Sequence, residues 1–86
     1  VAENPNTPLT LEAARKVFPP MWVIYDHPSD FPNDYVVRLC WGMFKEPDCA
    51  QFQTLIAARE YANENGGCFC IPRDPDDDPV IVETWL

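Results

Sequence analysis

Two stretches of this chain nearly repeat. Residues 10–15 read Thr-Leu-Glu-Ala-Ala-Arg, and residues 54–59 read Thr-Leu-Ile-Ala-Ala-Arg. The same offset of 44 carries Val36, Val37 and Trp41 onto Val80, Ile81 and Trp85. In 86 residues that offset is close to half the length. Each half then reads as one helix and two strands, with a loop rich in proline and aspartate between the strands. A unit this short cannot bury its apolar face alone, so the two must complete one another's core. A hydroxyl ahead of good helix formers, and valine pairs ahead of tryptophan, are also ordinary helix and strand vocabulary. Duplication and convergent patterning both produce such an echo, and the element order is the same under either.

That order follows from a pass along the chain. Residues 1–6 lack periodicity and read as a loose arm, leaving residues 7–86 as a single domain. Thr7 can cap a helix with Pro8 in its first turn, and Leu11, Ala14 and Phe18 then share a face. Pro19 and Pro20 stop it. Residues 21–25 form an apolar strand. Residues 35–41 form a second, with Tyr35, Val37, Leu39 and Trp41 on one face and Val36, Arg38 and Cys40 on the other. Asp48 and Gln51 have capping-box spacing and start the longer helix, whose stripe is Phe52, Leu55, Ile56 and Ala62, with Glu60 and Glu64 facing water. Gly66 and Gly67 end it. Residues 68–71 form a short strand, and Pro79 leads into a closing strand over residues 80–86. The expected fold is α+β, order α-β-β-α-β-β: a two-layer sandwich with a four-stranded antiparallel sheet and both helices on one face.

A domain of this size buries only about 60% of its unfolded surface. Its 47% hydrophobic and 13% aromatic residues are a supply that a disordered tail would not have. Fourteen acidic and six basic residues give a net charge of −8. Such a chain lacks the Lys/Arg clusters that a phosphate backbone demands, and it is steered instead toward basic partners. No run approaches the roughly 18 apolar residues of a membrane span, and no secretion signal is in view, so a cytoplasmic protein is expected.

The candidates for chemistry are few. Cys68 and Cys70 alternate along one strand, with Cys40 and Cys49 elsewhere. That spacing lacks the paired knuckles of a zinc site, and nothing points to the oxidising surroundings of a disulfide. Reduced, half-buried thiols are the expectation, with disulfide or metal binding as the open alternatives. His27, the lone histidine, reads as a loop residue bonded to backbone or to Asp26. The run from Asp74 to Asp78 imitates a calcium loop, but Pro79 stands where glycine is needed and Trp85 where the bidentate glutamate belongs. No phosphate-cradling glycine loop, nucleophile elbow or zinc-protease motif occurs. The expectation is no enzyme, no metal and no cofactor. What remains is an anionic patch of the Asp74–Asp78 turn with Asp26, Asp30 and Asp34, provided both loops lie at one end of the sheet, and the residues expected to carry binding are Asp30, Asp34, Asp74, Asp76, Asp77 and Asp78. Against it stands the plainer reading of solvated turns built from turn-forming residues.

Residues 21–38 (MWVIYDHPSDFPNDYVVR), the Thr-Leu-x-x-Ala-Arg helix and the closing Pro-Val-Ile-Val-Glu-Thr-Trp-Leu resemble a family of short uncharacterised proteins found in bacterial and phage-derived genomes. The resemblance covers most of residues 20–86 and carries no activity and no functional residue. It implies a context in which small acidic proteins bind a host protein, including defence nucleases with basic channels. The expected function is therefore a non-enzymatic protein-binding module, in its sharper form an anti-CRISPR-like inhibitor that blocks a basic surface. The alternative is a structural or accessory subunit that forms a homo-oligomer through apolar surface or a sheet edge.

Overall fold

In the computed structural model, which describes residues 10–86, Thr10 and Thr54 each open a helix. The Thr10 hydroxyl accepts the Ala13 N–H at 3.1 Å, and the Thr54 hydroxyl accepts the Ala57 N–H at 3.1 Å. Each cap satisfies a backbone donor that has no partner within the helix. Helix α1 spans Leu11–Val17 and helix α2 spans Leu55–Glu64. Ala14 and Ala58 hold the same place in the two repeats, and both are 0% exposed. The arm at residues 1–6 and the cap proposed at Thr7 lie outside the described residues.

The strands are β1 (Pro20–Asp26), β2 (Tyr35–Trp41), β3 (Phe44–Lys45), β4 (Ala50–Phe52), β5 (Cys70–Pro72) and β6 (Ile81–Trp85). They run in the order β3-β2-β1-β6-β5, with β4 also on β2, and every pair is antiparallel. The fold is thus α+β, with both helices packed against the sheet. Each half contributes a hairpin, β1–β2 and β5–β6, and these stand side by side, β2-β1 then β6-β5. The repeat therefore steps across the sheet.

The expected four strands are six because the chain after Gly42 folds back along the free edge of β2. Gly42 has φ 62°, and the Phe18 ring lies 3.0 Å from where a side chain would begin. Phe44 and Lys45 then pair with Trp41 and Cys40, and Ala50–Phe52 with residues 35–37. The capping box at Asp48 and Gln51 is unused, since Gln51 lies in β4 opposite Val36. Strand pairing satisfies the edge groups of β2, and this outweighs local helix capping. Consequently α2 starts later than expected, and Ile56 is 68% exposed while Ala58 takes the core position.

Ile24, Val37, Ala58 and Ala62 form the centre of the core, with Trp22, Tyr35, Leu55 and Trp85 packed around them. Register puts Trp22 opposite Leu39 and Trp85, and Ile24 opposite Val37 and Glu83. These residues share the face that α2 covers. Among the described residues no helix is long and apolar enough to cross a membrane.

Gly67 closes the turn from α2 into β5 where there is no room for a side chain. A Cβ there would stand 2.7 Å from Trp85 Cβ and 2.9 Å from the Ala62 carbonyl oxygen. Gly67→Ala is expected to push the helix end off β6 and destabilise by about 1–3 kcal/mol, as overpacking does. A thermal melt reads this directly, and an unchanged midpoint contradicts it.

Candidate functional site

The echo continues into the side chains. Arg15 grips Glu46 with Nε and Nη2 at 2.7 and 2.6 Å, and Trp41 Nε1 donates to the same carboxylate at 2.9 Å. Arg59 grips Glu83 with Nε and Nη2 at 2.9 and 2.8 Å, and Trp85 Nε1 donates to it at 2.7 Å. Arginine and tryptophan recur at the 44-residue offset, while the two glutamates do not. The planar guanidinium fork suits this two-point grip. Hydrogen bonds from Arg15 and then Trp41 hold the Glu46 carboxyl down to about 2. Burial pushes Glu83 up, but hydrogen bonds from Arg59, Trp85 and Cys70 outweigh it and hold the carboxyl below its usual range. These are clamps that fasten helix to sheet. They leave the opposite end free for other work.

At that end the two proline- and aspartate-rich loops meet. Asp26, the last residue of β1, pairs with Tyr35, and its N–H donates to the Val80 carbonyl at 2.7 Å. The loop between β1 and β2 and the loop between β5 and β6 therefore leave the sheet together. Asp30 and Asp78 line one cavity of about 410 Å³, with Tyr25, Val36, Arg38 and Lys45 as its floor and wall. Asp34 is half-buried at the start of β2 and accepts the His27 N–H on its backbone oxygen.

Asp74, Asp76, Asp77 and Asp78 are exposed and shape their own turn. Asp77 Oδ2 accepts the Asp74 N–H at 3.0 Å, Asp74 Oδ1 accepts the Asp76 N–H at 2.9 Å, and Asp78 Oδ1 accepts the Val80 N–H at 3.1 Å. Such bonds are what favours aspartate in turns. An ionised carboxylate has about four acceptor sites, so each retains capacity for a further donor.

The cavity floor is where cations stand. Arg38 Nη1 donates to the Glu46 and Pro47 carbonyls at 2.7 and 3.2 Å, and its Nη2 lies 3.9 Å from Asp30. Lys45 Nζ sits 5.6 Å from the centre of the Tyr25 ring, within cation–π range. The cavity is therefore charge-balanced, with Asp30 and Asp78 set against Arg38 and Lys45. Burial, foremost, pushes the Tyr25 hydroxyl up to about 12. Sequence reasoning passed over Arg38, Lys45 and Tyr25. The available signal was Arg38 itself, a charge alternating with Val36 and Cys40 on a strand.

The remaining candidates take quiet places. His27 Nδ1 bonds Asp26 Oδ1, its ring meets Tyr35 edge-on at 4.9 Å, and its φ is 48°. Cys40 is buried, and that burial pushes its thiol up, away from the thiolate. Cys49 lines a second cavity of about 250 Å³ beside Tyr61, and Cys68 and Cys70 are exposed. All four are free thiols.

No family model matches the chain, and neither a curated protein nor a solved structure matches it.

Proposed function

We propose that the protein is a non-enzymatic binding module that engages a basic surface of another protein through its two acidic loops, Asp30 and Asp34 from one and Asp74, Asp76, Asp77 and Asp78 from the other. The observation that carries this reading is the junction at Asp26 and Val80, which gathers both loops at one end of the sheet. Two loops of carboxylates on a chain of net charge −8 attract lysine- and arginine-rich surfaces and raise the rate of encounter. A phage-associated inhibitor of a host defence protein, acting in the cytoplasm, is the setting this reading favours.

The frame is read as two layers with both helices on one side. In support, α2 packs on the face of Ile24 and Val37, and α1 is tied by Arg15 to Glu46, which also holds Trp41 from the same row of β2.

The test is a pull-down from host lysate eluted with salt, repeated after changing the six aspartates to asparagine. The captured protein is expected to elute at moderate salt and to be lost with the variant. Capture that resists salt, or persists in the variant, sinks the reading. One observation favours the second reading, an accessory subunit that self-associates: Phe69, beside edge strand β5, is 74% exposed.

A further inference from the structure

The face of the sheet opposite α2 has an apolar corner. Phe69 and Leu86 exchange backbone hydrogen bonds at 3.1 and 2.9 Å, and the next residues, Cys70 and Trp85, pair with each other. Side chains alternate along a strand. Because Trp85 turns toward the core, Phe69, Leu86 and Ile71 turn the other way. They are 74%, 38% and 45% exposed. Ile71 lies opposite Thr84, which lies opposite Val23, and since Val23 is buried the exposed patch is confined to the β5 edge of the sheet. From Ile71 the chain runs through Pro72 and Arg73 directly into the turn of Asp74–Asp78. The edge itself is poorly suited to accept another strand, since β5 has only three residues and Pro72 has no N–H to offer. What this corner presents is side chains.

We infer that the Phe69 corner and the acidic turn form one docking surface, whose occupant is a different protein with an apolar pocket bordered by lysine or arginine. The inference rests on the proposed function and adds an anchor to it. Charge complementarity selects the occupant: a second copy carries the same −8 and sets acidic turn against like charge. Interface energy concentrates in a few aromatic anchors with polar contacts around them, and Phe69 is the exposed aromatic at one end of β5, which leads through Ile71 into the aspartates. The carboxylates govern encounter and salt dependence, and the ring governs residence.

The experiment titrates the full chain with two fluorescent synthetic peptides of equal positive charge, an oligolysine and a peptide alternating lysine with leucine. The leucine-bearing peptide is expected to bind roughly tenfold more tightly. Phe69→Ala is expected to abolish that advantage while leaving oligolysine affinity and the salt slope unchanged. Changing Asp74, Asp76, Asp77 and Asp78 to asparagine is expected to weaken both peptides and flatten the slope. Equal binding of the two peptides, or an advantage that survives Phe69→Ala, overturns the anchor and leaves the acidic reading standing. Oligolysine that fails to bind at low salt overturns the reading beneath it. Sedimentation of the chain alone serves as a further check: a dimer abolished by Phe69→Ala overturns the choice of occupant. The ring's exposure means its truncation removes no core packing, and a melting curve verifies this.

Discussion

Replacing Arg59 by alanine is expected to lower stability at neutral pH by about 3 kcal/mol, the lower end of the cost of breaking a buried ion pair. Glu83 is 5% exposed and is the one charged side chain buried among the described residues. Without Arg59 its carboxylate keeps the Trp85 N–H but loses both guanidinium bonds. The Arg59 side chain is 45% exposed, so water reaches part of the vacated space and holds the cost to the lower end. For a domain of this size the melting midpoint should fall by roughly 12 °C or more. Arg15→Ala, which breaks the repeated but more open clamp at Glu46, should shift it far less. Equal shifts in the two variants contradict this account of burial.

The pH dependence follows the same pair. In the intact protein Glu83 lies below the ordinary carboxylate range, so its contribution is fully present above that range and is lost as pH falls through the folded value. In Arg59→Ala, burial acts on Glu83 with much less opposition and its carboxyl should rise. Protonation then relieves the variant while the intact protein loses its bond. The two melting curves should converge between neutral and acidic pH, and a constant gap contradicts the mechanism.

Ile24→Ala is the other change of large expected effect. Ile24 is 0% exposed on β1, the central strand, between Val37 of β2 and Glu83 of β6, and it belongs to the core cluster with Ala58 and Ala62. Both helix residues are already alanines, so they cannot lean in to refill the space. Removing the isoleucine should cost about 2–5 kcal/mol, transfer and cavity together. Small domains have about 5–15 kcal/mol in all, so denaturant unfolding should show a much earlier midpoint or no folded baseline. Ile56→Ala, at a position 68% exposed, is the control and should change little.

The caps are Thr10 and Thr54, the threonines that open the two echoed segments, whereas local cap signals in the sequence put the helix starts at Thr7 and Asp48. The capping-box spacing at Asp48 and Gln51 pointed elsewhere and lost to pairing with β2. Strand β2 was legible to the residue, since alternation and its bounding turn residues agree over Tyr35–Trp41. Strands β3 and β4 were not, for two- and three-residue segments have no period to read. The meeting of the two loops depends on β6 lying beside β1, a long-range pairing that no local pattern encodes. The clamps were hidden for a related reason. Arg15 and Arg59 repeat, but Glu46 and Glu83 stand at unrelated distances from them.

That pairing of β1 with β6 sets the order of events when the chain is made. Residues 20–26 and 35–41 are near neighbours in the chain and can pair as a hairpin before residues 81–85 are made. The other edge of β1 stays bare until residues 81–85 have been synthesised. In the interval that edge has no neighbouring strand, although α2, made before β6, is already there to cover Trp22 and Ile24. Such contacts between distant parts of a chain slow folding and leave an unpaired strand open to aggregation. Yield on expression should therefore respond to translation rate and chaperone supply more than the stability of the finished fold suggests.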